Sequence, residues 1–232
     1  MVGGGGLSGG PLSAEAVEAF GRDGFVVSRG FLDADTVAEL RRGYDAATRG
    51  EVNAEGWKHR VGPDRILQLG NPYKHIPGWE GHAYMGRLVA AGKQLLGDDI
   101  EYKYDQLIYK PPHNPVELLW HQDAGYGWPG KANARALTCW LALSPVDRDM
   151  GALQFIPGSH RDGIAEHVDA SQHNPINGAL EAAVDAERAV LVEYGAGDVS
   201  FHHGRTLHYS SGNRTDRARR GLSTHLWPEP NE

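Results

Sequence analysis

The sequence predicts a mainly β protein, a barrel or sandwich of short strands preceded along the chain by helices. Three observations carry that expectation. From residue 100 onward the chain breaks into short apolar or alternating stretches separated by Gly, Pro and Asn, with no helical pattern between them. Before residue 100, apolar residues recur at spacings of three and four in three separate places. Finally, 232 residues suffice for one sizeable core, and β-barrel enzymes of this size often form one domain.

The elements follow in order. Residues 1–11 hold six glycines and almost nothing to bury, so they read as a flexible Gly-rich tail, leaving 12–232 as a single domain. Ser13 caps a helix whose apolar face includes Ala14, Val17, Ala19 and Phe20, and which Gly21 and Gly24 end. Residues 24–27 form a short strand. Asp33 or Asp35 caps a second helix carrying Val37, Leu40 and Tyr44, before Gly50. Residues 51–81 show no clean period and read as an irregular stretch. Connections longer than about a dozen residues often form lids or binding loops, which makes Trp57, His59, Arg65, Gln68, Tyr73 and His75 candidates for a site flank. A third helix over 82–96 turns Met85, Leu88, Val89, Leu95 and Leu96 inward and closes at Gly97.

The strands come next. Residues 100–110 alternate, with Tyr102, Tyr104, Gln106 and Ile108 on one face and Lys103, Asp105, Leu107 and Tyr109 on the other, ended by Pro111 and Pro112. Further strands are expected over 116–121, 135–143, 151–156, 190–193, 198–202 and 219–226. A Gly/Trp/Tyr loop occupies 124–133, and a turn follows at Pro157-Gly158-Ser159-His160.

Composition excludes several classes of partner. The formal net charge is −7 and no basic run or face stands out, which argues against nucleic acid and anionic membrane surfaces. No run of about 18 apolar residues is present to span a bilayer. The one cysteine, Cys139, has no internal disulfide partner, and no apolar leader opens the chain, so a cytoplasmic location is expected.

The candidate site is Trp120-His121-Gln122-Asp123. On a strand, residues two apart share a face, so His121 and Asp123 converge on one point where a metal could sit. A non-haem Fe(II) oxygenase centre needs two histidines and one carboxylate on one side of the ion. His208, in Gly204-Arg205-Thr206-Leu207-His208-Tyr209-Ser210, is the candidate second histidine. An isolated H-x-D is a common surface pattern, and its surroundings give it weight.

Those surroundings resemble the phytanoyl-CoA dioxygenase (PhyH) family of Fe(II)/2-oxoglutarate oxygenases in four blocks, in order. They are the opening helix with Asp23-Gly24-Phe25-Val26-Val27; Lys110-Pro111-Pro112 leading to Trp120-His121-Gln122-Asp123; 151–160, which is similar to the family's G-x-L-x-x-x-P-G-S-H; and 197–219, from Gly197-Asp198-Val199 through His208, Ser210 and Asn213 to Arg219. The resemblance implies a double-stranded β-helix of the jelly-roll or cupin kind, with the N-terminal helices packed outside. It implies Fe(II), 2-oxoglutarate and O2, with His121, Asp123 and His208 as iron ligands. Arg219, eleven residues beyond His208, matches the arginine that holds the distal carboxylate of 2-oxoglutarate, a task suited to a planar, bidentate fork. Ser210 would support it, and Thr138, Trp140 and Gln106 would line the same pocket. Tyr104, Gly125, Tyr126 and Trp128 are candidate substrate contacts.

Neighbouring residues compete for some of these roles. One step along a strand reverses the face, so one of Arg219 and Arg220 points inward, and one of His202 and His203. The family spacing favours Arg219 and His208, while His160 suits a hydrogen bond fixing its turn. The implied activity is oxidation of an unactivated C–H bond of a small molecule, hydroxylation by default. Epimerisation, desaturation or cyclisation use the same iron site. Halogenation is disfavoured because related halogenases carry a small residue where Asp123 stands. The Ala/Gly/Arg-rich composition is associated with high-GC bacteria, in which such enzymes tailor secondary metabolites, including antibiotics. Rival readings are a zinc hydrolase or isomerase and a non-catalytic binding barrel, neither of which needs a dicarboxylate clamp. Segments 51–81, 124–133 and 160–187 are the least constrained by pattern and would meet the substrate. Oligomeric state leaves no mark in the sequence.

Overall fold

The computed structural model describes residues 12–52, 58–60, 67–127, 135–176 and 178–229. The stretch 1–11, Trp57, Arg65, Trp128 and the side chain of His59 lie outside the described residues.

Capping chemistry sets the helices. The Ser13 side chain accepts from the Ala16 N–H to start α1 (Ala14–Asp23), and Gly24, at φ 80°, ends it by returning its N–H to the Phe20 carbonyl. Asp33 rather than Asp35 caps α2 (Ala34–Arg49), accepting from the Thr36 N–H at 2.8 Å. A single-turn helix α3 (Pro72–His75) precedes α4 (Ala83–Leu96), for which His82 is the cap. Leu40, Tyr44 and Leu88 on these helices are fully buried, each contributing roughly 1.5–3 kcal/mol of apolar burial.

Thirteen strands are described: β1 (Phe25–Ser28), β2 (Lys58–Arg60), β3 (Leu67–Gly70), β4 (Ile100–Lys110), β5 (Leu118–His121), β6 (Leu137–Ala142), β7 (Leu153–Phe155), β8 (His167–Asp169), β9 (Leu180–Ala182), β10 (Val190–Val192), β11 (Val199–His203), β12 (His208–Ser210) and β13 (Arg219–Pro228). They form a seven-stranded sheet ordered β1-β11-β6-β13-β4-β3-β2, a four-stranded sheet ordered β10-β7-β12-β5, and the separate hairpin β8-β9, with antiparallel pairing throughout. Two such sheets stacked face to face make the jelly-roll form of a double-stranded β-helix.

Period-two alternation sorts the large sheet into two faces. Leu137, Cys139 and Leu141 on β6 join Val199, Phe201, Leu222 and the helices in one apolar cluster, so α1, α2 and α4 cover the outer face. Trp140 and Ala142 face inward, into a second cluster with Leu153, Phe155, Val192 and Tyr194 from the small-sheet side. Polar residues on the inward face, Thr138, His202, Ser223 and His225, are therefore the ones delivered to the interior. Among the described residues no helix is long and apolar enough to cross a membrane.

Several elements differ from expectation. Residues 51–81 are not wholly irregular: β3 pairs with β4 and extends the large sheet, and β2 pairs with β3. Residues 160–187 contain the β8-β9 hairpin, and β12 adds a strand at His208. These are three- and four-residue strands, too short for their own sequence to show alternation; β3 and β12 are held by partners far along the chain, while β2 pairs with the nearby β3 and β8 with β9. Tyr102 does not share the face of Tyr104. The register shifts so that Tyr104 opposes His225 and Tyr102 opposes Leu226, leaving Lys103 as an extra residue, and this bulge turns Tyr102 toward the helices.

Candidate active site

His121 ends β5, and His208 begins β12 directly opposite it. That cross-strand pairing brings the two rings to a centroid separation of 4.2 Å. Asp123 is not on the strand as expected. It opens a 3-10 turn over Asp123–Tyr126, held by the Ala124 N–H on the Gly204 carbonyl at 2.8 Å, and this turn returns its carboxylate to the histidines. Gln122, between them, points elsewhere. Its amide donates to the Gly163 and Arg205 carbonyls and accepts from the Ala165 N–H, tying the end of β5 to two loops.

The ligand-type atoms of His121, Asp123 and His208 lie within 4.8 Å of one another, all three residues being buried. Each histidine carries its proton on Nδ1, donating to Leu119 O (2.6 Å) from His121 and to Thr206 O (3.0 Å) from His208. The Nε2 lone pairs are thus left for a metal. Burial lowers the pKa of both imidazoles and favours the neutral form that binds metal.

Asp123 divides its oxygens. Oδ1 lies 3.8 Å from His121 Nε2 and 3.9 Å from His208 Nε2, whereas Oδ2 accepts the hydroxyl of Thr138 and lies 3.3 Å from His202 Nε2. Burial alone would raise this carboxyl. The opposing influence of His208, His202 and His225 outweighs it and holds Asp123 well below the usual carboxylate range. Because Thr138 gives its one proton to Asp123, the 3.1 Å contact with His225 Nδ1 requires that nitrogen to be the donor.

The triad opens on a cavity of about 290 Å³ lined by Gln68, Gln106, Tyr126, Thr138, Trp140 and Ser210 and by apolar side chains that include Ile108, Leu118, Leu153 and Ile176. Arg219 has no accessible surface and sits against the Ser210 and Trp140 wall, its guanidinium carbon 5.4 Å from the Trp140 ring. Nη1 donates to Gly151 O and Ser210 Oγ, both at 2.6 Å, while Nε and Nη2 are buried without a hydrogen-bond partner. Burial lowers its pKa to about 10, so it stays charged at neutral pH. Arg220 faces outward and pairs with Asp45 on α2 at 2.6 Å.

Of the remaining candidates, Tyr126 lines the cavity and meets the His121 ring edge-on at 5.6 Å. Tyr104 and Gly125 do not line it. Tyr104 stacks on His225 at 4.4 Å, and Gly125 packs so closely on His167 that a Cβ would fall 2.8 Å from that ring. Of the six candidates in 51–81, Gln68 reaches the cavity, whereas Tyr73 bonds Asp105 and Gly81. His202 faces the interior. His203 faces outward, accepting from the Arg205 N–H. His160 reaches the Gly21 carbonyl, while Ser159 accepts from the Leu207 N–H at 2.9 Å and so fixes the residue before His208. Sequence reasoning misses His225 and Ser223, although they continue the period of two from Arg219 on β13.

The donor set, two neutral imidazoles and one carboxylate oxygen, fits Fe(II), and a buried guanidinium with two N–H groups unengaged fits a carboxylate. On a double-stranded β-helix this combination defines the non-haem iron, 2-oxoglutarate-dependent oxygenases. The chain belongs to the phytanoyl-CoA dioxygenase (PhyH) family, whose model matches residues 20–221. It is similar to an ectoine dioxygenase of Stutzerimonas stutzeri, 27% identical over 93% of this chain and 77% of the relative. In structure it is similar to EvdO2 from Micromonospora carbonacea var. aurantiaca complexed with 2-oxoglutarate, with TM-score 0.81 and 24% identity over 97% of this chain and 95% of the other. It is also similar to the epimerase SnoN in complex with Fe3+, α-ketoglutarate and nogalamycin RO, with TM-score 0.70 and 27% identity over 92% and 82%. The protein is a non-haem iron dioxygenase that uses Fe(II), 2-oxoglutarate and O2.

Proposed function

We propose that this dioxygenase oxidises an unactivated C–H bond of a small molecule, hydroxylation being the default outcome, in the cytoplasmic tailoring of a bacterial secondary metabolite. His121, Asp123 and His208 hold Fe(II), and Arg219 takes the distal carboxylate of 2-oxoglutarate, with Ser210, Trp140 and Gln106 around it. The observation that carries this reading is the fully buried Arg219 fork set against the wall of the cavity on which the triad opens. Iron, 2-oxoglutarate and O2 together supply the oxidising power, giving succinate and CO2.

The chain supplies position. Carbonyls at Leu119 and Thr206 fix both imidazoles, and Thr138 fixes the carboxylate so that Oδ1 faces them. Asp123 occupies the place a halide would need, which disfavours halogenation. Ile108, Leu118, Leu153, Ile176 and Tyr126 exclude water and suit a largely apolar substrate, with Gln68 and Gln106 available to bond one polar group. Tyr104 and Gly125 stand behind the lining, Tyr104 stacked on His225 and Gly125 packed on His167, and do not themselves meet substrate.

Epimerisation on the same iron site is the second reading, supported by the 27% identity to SnoN. The test is succinate formation by protein loaded with Fe(II) without oxygen and then exposed to O2, with candidate polycyclic substrates. His208→Ala abolishes turnover, and Arg219→Ala weakens 2-oxoglutarate. A product heavier by one oxygen atom marks hydroxylation, and unchanged mass with inverted configuration marks epimerisation. Wild type that neither binds Fe(II) with 2-oxoglutarate nor forms succinate would overturn the reading in favour of a zinc or non-catalytic barrel.

A further inference from the structure

The cavity has two unlike walls. On the large sheet β13, β4 and β3 lie side by side, with Ser223 opposite Gln106 and Gln68 opposite Ile108, so a hydroxyl and two amides share the inward face. Neighbouring strands run about 4.8 Å apart and diagonal cross-strand neighbours about 7–8 Å, which makes the three groups one continuous polar arc. Leu118 and Leu153 on the small sheet, with Ile176, form the opposite, apolar wall. Other interior amides are tied into the fold. Gln122 donates to the Gly163 and Arg205 carbonyls and accepts from the Ala165 N–H, and Asn213 donates to the Pro111 and Arg217 carbonyls and accepts from the Thr215 N–H. By contrast, among the described residues the side chains of Gln68, Gln106 and Ser223 have no hydrogen-bond partner, and their polar atoms reach the cavity. Polar groups kept open in an interior await a partner that the fold does not supply.

Charge is missing from the same lining. The described residues around the cavity include no Lys, Arg or Glu, and the carboxylate present, Asp123, is committed to the triad. An ion brought against the arc would give up its hydration without meeting a counter-charge. An amide, in contrast, offers a hydroxyl or a carbonyl both a donor and an acceptor. We infer that Gln68, Gln106 and Ser223 are specificity-determining residues that select an uncharged substrate, bearing hydroxyl or carbonyl oxygens along one edge and apolar on its opposite face. This deepens the reading of the cavity as an oxygenase site and rests on it. Ring alcohols and ketones belong to that class; carboxylates, phosphate esters and ammonium compounds fall outside it. Selection comes from what is left unpaired, because a molecule without the oxygen strands desolvated amides that water no longer reaches. Gln106 borders the cosubstrate as well as this arc, so Gln68 is the residue to vary.

Calorimetric titration of the full chain, loaded with Fe(II) without oxygen and saturated with 2-oxoglutarate, tests this with probes on one naphthalene skeleton. They are 2-naphthalenemethanol, 2-methylnaphthalene, which lacks the oxygen, 2-naphthoate and 2-naphthylmethylammonium. Wild type binds the alcohol about tenfold more tightly than each of the others, the scale of one hydrogen bond whose loss leaves a buried partner unpaired. Gln68→Met keeps the length of the side chain without its amide and brings the alcohol to within about twofold of the hydrocarbon. Gln68→Lys supplies a cation, raises 2-naphthoate to the level of the alcohol or above it, and covers the case in which the methionine variant does not fold. Each readout is a ratio between probes on one protein, so a merely structural loss weakens all four together and leaves the ratios unchanged. Unchanged ratios in either folded variant overturn the proposal. So does a wild type that takes up Fe(II) and 2-oxoglutarate yet binds a charged probe as tightly as the alcohol, or binds none of the four. Wild type that does not take up 2-oxoglutarate overturns the underlying reading along with it.

Discussion

Thr138→Val removes one oxygen from the site and keeps the side-chain shape. Thr138 is buried, and its hydroxyl both donates to Asp123 Oδ2 and accepts from His225 Nδ1 at 3.1 Å. Valine leaves Oδ2 facing a methyl group, with the His202 contact at 3.3 Å remaining. A hydrogen bond to a charged group is worth about 1.5–3 kcal/mol. Losing one that orients a metal ligand costs about 10–100-fold in metal affinity, and the two scales agree because 1.4 kcal/mol is about a factor of ten. Titrating the variant with Fe(II) anaerobically against a chromophoric chelator should therefore show a dissociation constant about 10–100-fold above wild type. Thr138→Ser, which restores the hydroxyl and not the methyl, should recover most of that loss. A folded Thr138→Val protein binding Fe(II) within about twofold of wild type would refute the argument that this hydroxyl aims the carboxylate.

Asp105 gives a pH prediction. Burial pushes its carboxyl up to about 7, even though the Tyr102 hydroxyl and Tyr73 N–H bond it. A raised acid holds its proton more tightly folded than unfolded, so its contribution is full below about pH 4 and is lost as pH rises through about 7. Asp105→Asn should flatten that dependence, exceeding wild type at pH 9 by on the order of a few kcal/mol in urea unfolding and gaining nothing below about pH 4. Gly151 has φ +78°, and a Cβ there would collide with the Ser211 carbonyl oxygen, so Gly151→Ala should lower unfolding free energy by roughly 2 kcal/mol or more. Asn174 donates to the Glu117 carbonyl and accepts from the Ile176 N–H, tying the segment that carries Ile176 over the cavity to the start of β5. Asn174→Ala should speed hydrogen exchange across 170–179 while leaving Fe(II) affinity unchanged.

Much of this architecture was legible because local rules were strong. The cap at Ser13, the strand at 100–110 and the opposite facing of Arg219 and Arg220 follow from side-chain chemistry and the period of two, whereas the structure chose Asp33 over Asp35 as the second cap. The three-residue strands were not legible. β12 reads His-Tyr-Ser, and only its pairing with both β5 and β7 makes it a strand. Likewise Tyr102 changes face because a bulge forms where β4 meets β13, a property of two strands together.

The same division holds at the site. Residue types and spacing pointed to His121 and Asp123 with His208 as candidate second histidine, and the resemblance to the family singled out Arg219 and favoured His208 over its neighbours. Tertiary structure decided what those residues lean on. It put Asp123 on a 3-10 turn instead of a strand, gave one of its oxygens to Thr138, turned His202 rather than His203 inward, and placed Lys110 beside Arg219. Such choices depend on which buried donors meet which acceptors across strands distant in sequence, where low dielectric makes an unpaired partner costly. No local pattern encodes that meeting, because neither partner's neighbours along the chain take part in it.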